Sequence, residues 1–402
     1  MGLCASVVDR EDIEPLAAWR PTLLGDSAWG KPPSVADGDD AEAALRKMPR
    51  LALQDVLKAM GLFATLEVRA AGLLRLEALQ LHQDEPDQLL ALGVPEAVVE
   101  AMEAHSGPDA AALQESGCRF LKAAACTPAG QSKVASCGGL KAVIQALKAG
   151  GGQQGGSLKA AACAALLALA SNCPPNKVKV GALGGIAAVL VAMSGAVEDA
   201  QLQERGCACL RTFATAHSSN QTRIAVSGGA AAILNAMRRH EDDVGLQSEG
   251  CWALHVLAHG QPNTQKDMAV LGVCQALLQC MGRHPASPGV QEHALRGLKT
   301  MCASSPDSAA LVAEGDGFAL IGGAMDGHRG VPSVVEQALW ALCDLVGKDE
   351  GRKAAFQAKV GMQKVKDLMA KHSEEHGVRN AGNTLVAVVD GKTMVSRLSI
   401  VA

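Results

Sequence analysis

A chain of 402 residues has room for several domains and a large core. Its apolar residues, 48% of the total, are mostly Ala, Leu, Val and Cys, with four Trp, five Phe and no Tyr, a helix-forming and small-residue composition. A net charge of −4 and so few aromatics exclude a global basic field for nucleic acid and a platform for stacking bases, and no apolar run is long enough to span a bilayer.

The chain opens MGLCAS. Gly2 and Ser6 satisfy the Met-Gly-x-x-x-Ser/Thr signal for N-myristoylation. One myristoyl chain gives a membrane affinity of only about 10⁴ M⁻¹, so a second signal is needed. Asp9, Glu11, Asp12 and Glu14 exclude a polybasic patch, and they are too acidic for a transit peptide. Cys4 supplies the second signal as a palmitoylation site. Residues 1–19 are therefore expected to form an acylated segment, lipidated at Gly2 and Cys4. Residues 20–48 mix Pro, Gly, Ser and Asp without a period, which predicts a disordered linker.

Residues 49–106 return to helical texture. AMGL at Ala59–Leu62, the run LLRLEAL and the segment LLALGVPEAVVEAM resemble a sterile alpha motif (SAM) domain. The alternative is a capping set of degenerate helices.

From Leu113 the chain repeats. LQESGCRFLKAAA, LKAAACAALLALA, LQERGCACLRTFA, LQSEGCWALHVLA, VQEHALRGLKTMC and VVEQALWALCDLV align without gaps. They start at Leu113, Leu158, Leu202, Leu246, Val290 and Val334, and VRNAGNTLVAVV follows at Val378. The first step is 45 residues and every later one is 44. The first, sixth and ninth residues trace one apolar helical face. The ninth are Leu121, Leu166, Leu210, Leu254, Leu298, Leu342 and Val386. The fifth is always Gly or Ala, which suggests a closely passing helix. Each unit reads as a long helix, a short helix, a glycine corner and a medium helix. The corners are Gly138-Gly139, Gly184-Gly185, Gly228-Gly229, Gly272, Gly317 and Gly361. One unit cannot bury its apolar face alone, so the units must stack.

This pattern resembles the armadillo repeat. NTQKDMAVLGVCQALLQCMGRHPASPGVQEHALRGL matches its short helix, bend, second helix and long third helix, and CWALHVLAHG resembles its third-helix signature. The repeats are also similar to the armadillo modules of leucine-rich-repeat kinases. The resemblance implies an all-α, right-handed superhelical solenoid over 107–390, six repeats plus a C-terminal cap helix. A small helical SAM-like domain is expected to precede it and a tail at 391–402 to follow it. Asn383 in the core register marks the cap. The residues around Asp390-Gly391 read as a helix end, with a hairpin as the alternative.

No site for chemistry emerges. Cys207-Ala-Cys209 is half a zinc site, but on a helix its side chains point to different faces. His255 and His259 lack the carboxylate of a zincin pair. Gly391-Lys392-Thr393 imitates a phosphate loop, with Val386 where its first glycine belongs. No metal, cofactor or enzymatic activity is expected.

An acylated terminus before an armadillo solenoid resembles the myristoylated and palmitoylated armadillo scaffolds, such as the fungal vacuolar armadillo protein and the armadillo-repeats-only protein. That resemblance implies a non-enzymatic adaptor, cytoplasmic and peripheral on the cytosolic face of a membrane, which binds protein partners in the concave groove lined by the third helices. The seventh, tenth and eleventh residues of the long helices share one face. That face reads Arg119, Lys122, Arg211, Trp252, His255, Arg296, Lys299, Thr300, Trp340 and Asp344. It is basic with two indoles, suited to a peptide or helix with acidic and apolar residues, and no nucleic acid is expected. The alternatives are a nuclear-import-type adaptor, against which stands the lack of Asn in the eleventh slot, and a regulatory module of a kinase or ligase pathway.

Overall fold

The computed structural model describes residues 40–62, 65–80, 86–150 and 155–391. Gly2, Cys4, Ser6 and the tail from Lys392 lie outside the described residues. The chain divides into two compact units, one ending at Lys179 and one beginning at Val180. No single described helix is long and apolar enough to cross a membrane.

The first unit contains α1 (Ala41–Lys47), α2 (Leu53–Leu62), α3 (Leu66–Gln80), α4 (Pro86–Ala91), α5 (Val94–Ala104), α6 (Ala111–Ala124), α7 (Pro128–Ser136), α8 (Gly139–Ala149), α9 (Gly156–Ala170) and the start of α10 (Pro174–Ala182). The long helices α3, α6 and α9 pack in succession, and α5 and α8 pack beside the long helices that follow them.

Two expectations about the front of the chain are corrected here. Helix starts inside the expected linker: Asp40 caps α1 by accepting the amide of Ala43 at 2.7 Å, and Ala44 and Met48 are buried. The stretch 49–106 does not stand apart as a SAM-like domain. Its long helix α3 packs on α6, and Val68, Gly72, Leu73 and Leu76 take the first, fifth, sixth and ninth positions of a repeat starting 45 residues before Leu113. Val68, Leu73 and Leu76 are fully buried. Gly93 makes the same left-handed corner, φ +74°, that Gly138 makes at φ +92°. LLALGVPEAVVEAM is thus the short helix, corner and medium helix of a repeat, and the apolar face it offers is covered by α6 and α8.

The second unit continues with α11 (Gly185–Ser194), α12 (Ala200–Ala214), α13 (Ser218–Val226), α14 (Gly229–Arg239), α15 (Val244–Ala258), α16 (Pro262–Val270), α17 (Val273–Arg283), α18 (Pro288–Ser304), α19 (Pro306–Glu314), α20 (Gly317–Gly327), α21 (Pro332–Val346), α22 (Glu350–Lys359), α23 (Met362–Lys371) and α24 (His376–Val389). Long helices α12, α15, α18, α21 and α24 stack in sequence order. Side chains of Asp199, Asp243 and Ser287 accept amides in the first turns of α12, α15 and α18. Leu210, Leu254, Leu298 and Leu342 are all buried, as are Leu121 and Leu166 in the first unit.

The close approach expected at the fifth residue is to a methionine. A Cβ on Gly250 would lie 2.7 Å from both Cγ and Sδ of Met237 on the preceding medium helix, and Met102, Met193 and Met369 crowd Gly117, Gly206 and Gly382 in the same way. Two side-chain ladders tie the repeats together. Gln247 donates from Nε2 to the carbonyls of Met237 and His240, at 2.7 and 3.0 Å, and Gln291 does the same for Met281 and His284. His240, His284, His328 and His372, spaced by 44 residues, each bring Nε2 to within 2.7–2.9 Å of a backbone carbonyl 43 residues earlier.

Two details differ from the sequence reading. The fourth corner of this unit turns at Asp316, φ +60°, rather than at Gly317, because Asp tolerates the left-handed region. In α24 it is Leu385, not Val386, that is fully buried, with Asn383 exposed and Val386 half-buried. No described helix stacks beyond α24, so only the faces toward α21 and α23 are covered. The helix reading of the end holds through Val389, with a turn at Asp390-Gly391.

The repeated cysteines are core residues. Cys118, Cys163, Cys207, Cys209 and Cys251 are fully buried thiols, and burial pushes Cys118 and Cys207 far above an ordinary thiol.

Candidate functional site: the face of the long helices

In the first unit the face carries Arg119 and Lys122 on α6. Arg119 donates to Glu115, one turn back, at 2.6 Å, and both side chains are largely buried. The other carboxylate oxygen of Glu115 accepts the hydroxyl of Ser157 on α9 at 2.7 Å. Lys122 is half-buried.

In the second unit the face is built around Trp252. The guanidinium of Arg211, from α12, lies 3.9 Å from the indole centroid. The imidazole of His293, from α18, stacks at 4.6 Å with 20° between the planes. The flanking helices supply one group each, so the indole is held between a cation and an aromatic ring. Arg211 is itself fixed by Glu249 at 2.8 Å. His293 Nδ1 lies 3.0 Å from the Ser248 hydroxyl and 3.2 Å from the Ser248 carbonyl, which anchors the ring to α15.

One helix pair on, the Thr300 hydroxyl donates to the Arg296 carbonyl at 2.9 Å, so its oxygen accepts from His255 Nδ1, also at 2.9 Å. Arg296 pairs with Glu292 at 2.8 Å. Lys299 Nζ stands 6.0 Å from the Trp340 ring centroid, the outer limit for a cation–π contact. Asp344 is half-buried on the same helix as Trp340.

The structure therefore brings Arg211, Trp252, His255, Arg296, Thr300, Lys299 and Trp340 into one connected series within the second unit. Arg119 and Lys122 belong to the first unit. The expectation of a simply basic face needs correction. Glu115, Glu249 and Glu292 each neutralise one of its arginines. Two of these pairs follow the i, i+4 spacing and were open to sequence reasoning. The third, Arg211 with Glu249, joins two helices and is set only by stacking.

The His255 and His259 ring centroids lie 5.6 Å apart and tilted by 53°, and among the described residues no group of three or more His, Cys, Asp or Glu side chains converges. Burial, then the positive neighbours His259, Lys299, Arg296 and His293, bring the His255 imidazole down to about 3. His255 is thus neutral in the folded protein across the ordinary pH range. Because its folded value lies below the unfolded value of about 6.5, the stability it contributes is complete above that value and is lost as pH falls toward 3. The urea midpoint of a His255→Asn variant should fall less between pH 7.5 and pH 4.5 than that of the wild type. Equal falls would show that His255 titrates normally.

No protein-family model and no curated protein sequence matches the chain. Solved structures do. A chain from a structure of the phosphorylation switch that controls the interaction between cadherin and beta-catenin superposes with a TM-score of 0.72 at 14% identity, covering 88% of this chain and 67% of that one. An engineered protein gives 0.61 at 15% identity, covering 88% and 92%. A designed armadillo repeat protein in complex with the peptide (KR)4 gives 0.53 at 13% identity, covering 62% and 99%. At these identities the likeness establishes the fold, which is that of an all-α armadillo-repeat solenoid.

Proposed function

We propose that the protein is a non-enzymatic scaffold that captures a protein partner on the long-helix face and is tethered to a membrane by acyl chains on Gly2 and Cys4. The observation that carries the partner site is the Arg211–Trp252–His293 stack. Three successive helices commit large side chains to one half-buried series, with guanidinium groups already oriented by Glu249 and Glu292. A partner carboxylate competes with those glutamates for donors whose geometry is set in advance, and apolar partner residues meet the indole edges. Two neighbours of this fold are described by their partners, cadherin with beta-catenin and a designed protein with (KR)4. The tether rests on the Met-Gly-x-x-x-Ser signal with its nearby cysteine.

The two parts are tested separately. Gly2→Ala should move the protein from the membrane to the soluble fraction, and Cys4→Ser should leave it weakly and reversibly bound. Trp252→Ala combined with Arg296→Glu should lose partner capture while the fold, read by circular dichroism, persists. If both lipidation variants sediment with membranes like the wild type, the tether is wrong. If the double variant retrieves the same partners at the same yield, the face is wrong. Preference for (KR)4 over an acidic, apolar peptide would reverse the partner chemistry in favour of the glutamate row.

A further inference from the structure

The two most exposed large apolar side chains of the second unit take the same place in successive repeats. Val226 and Val270, the last residues of α13 and α16, are 84% and 89% exposed. Leu183 and Leu271, each just after a short helix, are both 40% exposed. Arginines from the neighbouring repeats close the same edge. Arg223 donates to the Gly181 carbonyl at 2.7 Å, and Arg238 to the Leu271 carbonyl at 3.4 Å. Each of these bonds satisfies an N–H but leaves the positive charge in place, whereas the arginines of the long-helix face sit against glutamates. Lys266 and Asp267, one turn before Val270, offset each other. The row ends where Glu314 and Asp316 replace the residues equivalent to Val270 and Gly272.

We propose that this edge, formed by Leu183, Arg223, Val226, Arg238, Val270 and Leu271, is a contact surface for an anionic bilayer leaflet. The proposal rests on the membrane tether, and it adds which side of the solenoid faces the lipid. The chemistry favours a leaflet over a protein partner. Short valines projecting from two successive repeats suit shallow insertion at the headgroup boundary, and arginines beside them meet lipid phosphates. With this edge on the membrane, acyl chains need not hold the protein alone.

The test is sedimentation of the full chain, made without acyl chains, with vesicles of phosphatidylcholine containing 30% phosphatidylserine, and with vesicles of phosphatidylcholine alone. Binding should require phosphatidylserine and weaken with salt. Arg223→Gln and Arg238→Gln should each lower the partition coefficient about five-fold. Val226→Ser with Val270→Ser should lower it further while the thermal midpoint stays at the wild-type value. Absence of binding to the anionic vesicles, or variants that bind like the wild type, overturns the proposal. So does a dimer that forms through this edge and dissociates in the valine variant without any vesicle binding. The acylated chain on phosphatidylcholine alone reports the tether independently: loss there with Gly2→Ala, alongside failure of the unacylated chain on anionic vesicles, rejects the edge and keeps the anchor.

Discussion

Replacing Leu254 with alanine is expected to destabilise the second unit by about 2–5 kcal/mol. Leu254 is the ninth residue of its repeat and is fully buried. Its helix, α15, packs against α12 on one side and α18 on the other. Truncation leaves a void in a core where Gly250 already rests against Met237 of α14, so α15 cannot close on α14 to fill it without a clash. The loss also spreads, because each repeat is stabilised by its neighbours. The urea midpoint reads this directly. An unchanged midpoint would mean that the ninth position is not the seam between repeats.

Gly130→Ala should be nearly as damaging, for a different reason. A Cβ at this position would coincide with the carbonyl oxygen of Ala124 and lie 3.0 Å from its carbonyl carbon. The obstacle is backbone at the end of α6, which cannot rotate aside as a side chain can. Gly130 also donates its amide to the Thr127 hydroxyl at 3.0 Å, the cap of α7. The variant must open that cap or push α7 away from α6, at a cost of about 3 kcal/mol. Gly61→Ala is the matched control. It lies in α2, nothing stands within 4 Å of its added Cβ, and alanine there should stabilise by about 0.5–1 kcal/mol. A Gly130→Ala variant that melts with the wild type would show that the packing of α7 on α6 is loose.

The repeat was legible because stacking imposes the same demands every 44 residues. A buried ninth residue, a notch at the fifth and a left-handed corner each leave a residue signature. The frame beginning at Val68 carries the same signature, with Gly72, Leu73 and Leu76 in register. It was hidden because its corner segment, LLALGVPEAVVEAM, has the texture of a SAM turn, and helix packing rather than texture decides between the two. Asp40 as a cap was likewise masked by the Pro- and Gly-rich residues before it. The site was less legible. The face itself follows from helical spacing. Its charge does not, because Glu249 reaches Arg211 across two helices, and His293, from a slot outside the expected face, covers Trp252. The histidines at 240, 284, 328 and 372 recur every 44 residues, but their role depends on carbonyls 43 residues away that only the fold brings close.

On the function proposed above, membrane attachment and partner capture reside in separate parts of one chain. Proximity labelling in cells tests it most directly, with the wild type, Gly2→Ala and the Trp252→Ala/Arg296→Glu variant compared side by side. Gly2→Ala is expected to lose the membrane neighbours, and the face variant to keep those neighbours while losing a discrete set of soluble partners. Identical labelling by all three proteins would contradict it.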